Sequence, residues 1–112
     1  MNSWRFLNEE IQLAEISEAS FAKPQIIFKH STTCGISAHA EHILGESTTH
    51  LADVADLHYL DLLRFRSVSN LVADRFSVPH QSPQIIVVRN GKAIYNSSHY
   101  SINPAKILAS LN

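Results

Sequence analysis

The sequence predicts an α/β fold: a mixed central sheet of about four strands, flanked by helices on both faces, in the order α-β-α-β-α-β-β-α. Three observations carry that prediction. The runs "QIIF" at 25–28 and "QIIVV" at 84–88 are short, apolar and rich in β-branched residues, as buried strands are. Between them, apolar residues recur at helical spacing, so helices separate the strands. Asn90-Gly91 then divides two strand-like runs, and that dipeptide supplies the positive φ angles of a tight type I′ hairpin turn.

In chain order, Asn8 is placed to cap a first helix, with Glu9 and Glu10 at its positive end. Leu7, Ile11 and Ala14 share one face of it, with Leu13 and Ile16 beside them. Pro24 marks a boundary, and "QIIFKH" is a strand. After Cys34 the period changes: Ile36, Ala40, Ile43 and Leu44 fall on one helical face, and Gly45 stops or bends that helix. Residues 46–56, "ESTTHLADVAD", either extend the helix or form a loop. "LHYLDLL" is a second strand. Ser67 is placed to cap a helix carrying Val68, Leu71, Val72 and Phe76 on one side. "SVPHQSP" is turn-rich, and the hairpin "QIIVVR"–Asn90-Gly91–"KAIYNS" follows. Asn103 caps the last helix, Pro104 occupies its first turn, and Ile107, Leu108 and Leu111 form its apolar side.

The 112 residues suit one domain, 1–112, with no linker or internal repeat. Nine basic residues against ten acidic ones leave no electrostatic case for nucleic acid or an anionic membrane. No apolar run is long enough to span a bilayer. The N-terminal stretch has Glu9 and Glu10 where a signal peptide would be apolar, so the expected address is the cytoplasm. One cysteine excludes an internal disulfide and any multi-cysteine metal cage within the chain.

That cysteine lies where a strand ends and a helix begins. A lone cysteine in a reducing compartment is commonly just a small buried apolar residue. The setting of Cys34 points elsewhere. A helix N-terminus has free N–H groups and a partial positive charge, which favour thiolate over thiol. Such placement lowers a cysteine pKa from near 8.5 to roughly 3.5–7.5. Ser31, Thr32 and Thr33 argue against deep burial, Gly35 removes bulk beside the sulfur, and the Ser37 hydroxyl is within one turn as a donor. Ser82-Pro83 precedes a strand; a proline there cannot donate to the ladder, and a cis bond before it would be a deliberate turn feature. By sequence statistics that bond is trans.

Cys34-x-x-Ser37 after the first strand, Ser82-Pro83 before the hairpin and Asn90-Gly91 within it resemble the thioredoxin-like superfamily. The strings "IFKHSTTCGIS" at 27–37, "HYLDLLRFRSVSN" at 58–70, "FSVPHQSPQ" at 76–84, "NGKAIY" at 90–95 and "SHYSI" at 98–102 are similar to the monothiol bacilliredoxins, over essentially the whole chain. The resemblance implies a thioredoxin-like fold with a cis Pro83 facing Cys34. It implies thiol–disulfide exchange that removes bacillithiol from S-bacillithiolated client proteins, with Cys34 as nucleophile. Bacillithiol serves as a thiol cosubstrate, with no other cofactor and no metal. Thr33, Gly35 and Ser37 would support the thiolate, while Ile36, His80, Ser82, Pro83 and His99 would meet the substrate. Regeneration must come from bacillithiol or a partner thiol reductase. Dithiol thioredoxins carry a buried acid six residues before the nucleophile. Here Phe28 stands there, so a proton relay through such an acid is not expected.

Seven histidines raise the question of a metal. His39 and His42 are three residues apart, but Cys34 and His42 are two turns apart along a helix, too far to share one ion easily. His50, Asp53, Asp56 and His58 would have to gather across an unreadable segment. Solvated surface histidines are the simpler reading. His30 is read as structural, whereas either His80 or His99 is placed to hydrogen-bond the sulfur or meet an anionic small thiol. Two other functions fit parts of the pattern. "CGIS" is one residue from the motif of monothiol glutaredoxin-like iron–sulfur proteins, although the glycine pair expected after their third strand is missing from "NGKAIYNSSHYS". A non-catalytic binding module on the same scaffold would predict an ordinary thiol pKa for Cys34.

Overall fold

The computed structural model describes residues 3–112. Met1 and Asn2, which the domain 1–112 includes, lie outside the described residues. The elements are β1 (Trp4–Phe6), α1 (Ile11–Ala19), β2 (Gln25–His30), α2 (Gly35–Glu46), α3 (Thr48–Val54), β3 (Asp56–Asp61), α4 (Arg66–Phe76), β4 (Gln84–Arg89), β5 (Lys92–Ser98), a single 3-10 turn (His99–Ser101) and α5 (Pro104–Ser110). They build a five-stranded mixed sheet in the order β1-β3-β2-β4-β5. β2 runs parallel to β3 and antiparallel to β4, which pairs antiparallel with β5. The α/β layering agrees with the sequence expectation; the extra strand is β1. Its three residues are too few to show a period.

The strand alternation splits the core in two. Ile26, Phe28, Ile85 and Val87 face α2, α3 and α5 through Ala40, Leu44, Leu51 and Ile107. Ile27, Leu60, Ile86 and Val88 face α1 and α4 through Leu13, Ile16, Val68, Val72 and Phe76. All six residues of β2 are buried, so its odd and even positions each meet a helical layer.

Several local expectations change. Asn8 does not cap α1. The Gln12 side chain reaches back instead and accepts from the backbone N–H groups of Asn8 and Glu9 at 2.8 and 2.9 Å. The buried face of α1 is Leu13 and Ile16, while Ile11 and Ala14 are exposed. Gly45 neither stops α2 nor bends it out of helix; the helix runs on to Glu46, and most of residues 46–56 forms the separate helix α3. Ser67 lies inside α4, whose N-cap position is Phe65 and which has no side-chain cap. Leu62 and Leu63 fall beyond β3. Asn103 caps as expected, its Oδ1 accepting from the N–H groups of Ala105 and Lys106 at 2.8 and 3.4 Å. Asn90 and Gly91 both take positive φ, 54° and 77°, as a type I′ turn requires.

Candidate active site

The strand register determines which residues share one end of the sheet. Lys29 pairs with Gln84, and Gln84 pairs with Ser98. The loop leaving β2, the segment entering β4 and the segment leaving β5 therefore lie side by side. They carry Cys34, Ser82-Pro83 and His99. The Ser82–Pro83 peptide bond is cis, as the family resemblance implied and against the statistical default. The His99 N–H donates to the Pro83 carbonyl at 3.0 Å.

Cys34 is the N-cap residue of α2 and is partly exposed. Its backbone is extended, and its carbonyl accepts from the Ala38 N–H at 3.1 Å, which closes the first helical turn behind it. The thiol pKa lies below its ordinary value. The backbone N–H of Ser37 contributes most, followed by that of Ile36. Partial desolvation opposes them, and the Ser37 hydroxyl adds to the lowering. This is the unsatisfied amide cluster that a helix start provides, converging on one sulfur.

The neighbours divide the work differently from the sequence expectation. Ser37 is fully buried, and its Oγ also accepts from the Ser31 N–H at 3.2 Å. It holds the loop to the helix as well as serving the sulfur. Thr33 is not among the sulfur's donors. Its Oγ1 lies 3.1 Å from the Ser31 hydroxyl and its N–H donates to that hydroxyl at 3.4 Å, so it shapes the loop. Gly35 is exposed, and an added Cβ would meet nothing within 4 Å; what it leaves open is solvent. Ile36 is half-buried beside the sulfur. Ser82 is half-buried, and its Oγ has no partner among the described residues. Pro83 is buried, while His99 is exposed with a left-handed φ of 53°.

Sequence reasoning missed two groups around this end. The first is Lys29, which is 0% exposed and whose Nζ donates to the Ser69 carbonyl of α4 at 3.1 Å. The same Nζ lies 3.2 Å from His80 Nδ1. Burial lowers the Lys29 pKa to about 8. His80 is also lowered, by desolvation first and then by the charges of Lys29 and Arg66. A lysine directly after the apolar run "IIF", inside a strand read as buried, was the available signal.

The second group lies on the opposite face of β2. The Tyr59 hydroxyl donates to Glu41 Oε2 at 3.0 Å and meets His30 Nε2. His30 is buried, with Nδ1 3.5 Å from the same carboxylate. Desolvation outweighs the pull of Glu41 and Asp61 and keeps the ring pKa below its ordinary value. That contact is therefore no ion pair at neutral pH. Phe28, at the place of the thioredoxin acid, is sealed between Trp4, His30 and Tyr59. The histidine and aspartate cluster weighed from sequence is dispersed: buried His58 bonds Gln25 Oε1 at 2.7 Å, Asp56 bonds Gln25 Nε2 at 2.8 Å, and His50 is exposed on α3. His42 faces Glu46 one turn along α2, at 3.0 Å.

Residues 5–107 match the family described as monothiol bacilliredoxin BrxC. Among solved structures, one described as a candidate oxidoreductase with a thioredoxin fold is 28% identical, with a TM-score of 0.85, over 99% of this chain and 96% of that one. The thioredoxins of Malassezia sympodialis and Trypanosoma brucei brucei align with TM-scores of 0.75 and 0.77 at 17% and 16% identity. Each alignment covers 97% of this chain and 88% of the other. At that identity they establish the shared fold.

Proposed function

The chain belongs to the monothiol bacilliredoxin family, and the thioredoxin-like fold goes with a thiol oxidoreductase; from this we propose that it removes bacillithiol from protein mixed disulfides through Cys34. The observation that carries the reading is the partly exposed sulfur at the start of α2, with the Ser37 and Ile36 N–H groups and the Ser37 hydroxyl favouring its ionised form. The Cys34 thiolate attacks the bacillithiol sulfur of the mixed disulfide. That S–S bond breaks, the client cysteine leaves as thiolate and takes a proton from water, and Cys34 holds bacillithiol as a new disulfide. A second thiol, from bacillithiol or a partner reductase, attacks that adduct and releases Cys34. The step is intermolecular because the chain has no other cysteine.

Pro83 and the segment leaving β5 share the sulfur's end of the sheet, which suits approach of an extended disulfide. No helix among the described residues is long and apolar enough to cross a membrane. The test is to incubate the protein with a bacillithiolated client and follow intact mass. The adduct should move from client to this chain, and Cys34→Ser should abolish the transfer. A wild-type protein that stays unmodified while the client keeps its adduct would sink the proposal.

A further inference from the structure

The residue least explained by thiol exchange is Lys29. A fully buried ammonium is costly unless it is hydrogen-bonded, and evolution of a strand core would ordinarily place an aliphatic side chain there. Its location supplies a reason. Lys29 belongs to β2 and sits one residue before His30, on the face packed by α4, directly beneath the loop that leads into Ser82-Pro83. Its Nζ has two partners on two different elements: the Ser69 carbonyl of α4 at 3.1 Å and His80 Nδ1 at 3.2 Å. The loop is also held from below by Gln84, whose Nε2 donates to the Pro79 carbonyl at 3.1 Å.

We propose that Lys29 is a positioning residue for the exchange site: it fixes the His80 ring in one tautomer, so that the loop before Pro83 offers substrate a neutral imidazole N–H rather than a positive charge. An ammonium has three hydrogens and no lone pair, so the nitrogen facing it must be an unprotonated acceptor. With Nδ1 as acceptor, the ring's hydrogen is on Nε2, on an exposed loop residue. The charged groups facing the ring are Lys29 from β2 and Arg66 from α4, both cationic, and each opposes a second proton on the imidazole. The same arrangement accounts for a lysine rather than an aliphatic residue inside β2: a buried donor facing Nδ1 selects this tautomer, whereas an aliphatic side chain selects neither. His80 thus recognises substrate by hydrogen bonding, not as a cation attracting an anionic thiol.

This inference rests on the reading of Cys34 as the exchange nucleophile, but its test does not. Nitrogen-correlated NMR of the imidazoles in the wild-type protein at neutral pH should show His80 with Nδ1 unprotonated and Nε2 carrying the hydrogen. An Nδ1–H ring there overturns the proposal without any variant. In Lys29→Met the ring should become a tautomer mixture, and its titration midpoint should rise toward the ordinary imidazole value. An unchanged tautomer and midpoint in that variant also overturn it. In exchange kinetics with a mixed disulfide, Lys29→Met and His80→Gln should each raise KM several-fold, and the double variant should raise it no further. The pH midpoint of Cys34 alkylation should stay put in all three. Failed transfer with the stated tautomer intact would count against the exchange reading alone. Transfer that proceeds while the tautomer is wrong would count against Lys29 alone.

Discussion

The backbone N–H of His99 donates to the carbonyl oxygen of Pro83 at 3.0 Å, so the strand leaving the hairpin is tied to the cis-proline segment at the sulfur's end of the sheet. His99 makes that bond in the left-handed region, at a φ of 53°. A non-glycine residue there is disfavoured by roughly 1–2 kcal/mol. Glycine adopts the angle freely but loses more entropy on folding, by about 0.5–1 kcal/mol. His99→Gly should therefore fold with stability within about 1 kcal/mol of the wild type. Urea denaturation measures this. If that variant exchanges thiols more slowly while its fold is unchanged, the imidazole itself contacts substrate.

Ser37 serves two partners, and its loss should show twice. The alkylation rate of wild-type Cys34 should rise with a midpoint below the roughly 8.5 of a free cysteine. In Ser37→Ala the midpoint should move up only part of the way, because the backbone N–H groups of Ser37 and Ile36 remain. Stability should fall by about 1–3 kcal/mol, since the buried Ser31 N–H loses its acceptor. A midpoint at the free-cysteine value in the wild type would refute the activated thiol.

His58 should make the fold sensitive to acid. Burial first, and Arg5 second, lower its pKa to about 4 against the pull of Asp56. The unfolded chain, with an ordinary imidazole near 6.5, binds the proton more readily. The contribution is thus complete above about pH 6.5, declines as pH falls toward 4 and is gone below it. The full difference is on the order of 3 kcal/mol. His30 and His80 are shifted the same way, so the diagnostic quantity is the difference between proteins. His58→Gln should lose markedly less stability between pH 7 and pH 4 than the wild type. Parallel curves would refute the assignment.

Lys29 carries the opposite signature, at alkaline pH. Its pKa in the fold is about 8, below the ordinary 10.5, because burial disfavours the charge. Below pH 8 the whole penalty is present. As pH rises from 8 to 10.5 the folded protein has already released its proton and the penalty is relieved. Lys29→Met removes it at every pH. That variant should equal or exceed wild-type stability at pH 7, with the gap closing toward pH 10. Its exchange kinetics should suffer all the same, a separation of stability from function that a purely structural lysine would not show.

The Tyr59 hydroxyl joins β3 to α2 through Glu41 and meets His30. Burial, then the hydrogen bond to Glu41, pushes its pKa well above the ordinary phenol value, so it stays a donor throughout the physiological range. Tyr59→Phe should cost about 1–2 kcal/mol, because Nε2 of a buried histidine loses its partner. Thermal melting at neutral pH measures it; a loss near zero would mean that water replaces the hydroxyl.

The sequence by itself determined what depends on neighbours along the chain. Apolar runs of strand length mark β2, β3 and β4. Helical spacing marks the faces of α2 and α4, and Asn90-Gly91 and Asn103-Pro104 mark a turn and a cap, because propensity, period and φ preference are local. The position of Cys34 at a strand-to-helix junction was legible for the same reason. Only the tertiary structure decided the rest. β1 is three residues long and becomes a strand by pairing with β3. Residues 48–54 become helical around Leu51, which is wholly buried. Lys29 and His80 are 51 positions apart, as are Arg5 and Asp56; the pairing of β2 with β4 brings the first two together and the pairing of β1 with β3 the second two. Periodicity records which face a residue takes, not which distant side chain waits there; that is set by how the layers close over the sheet.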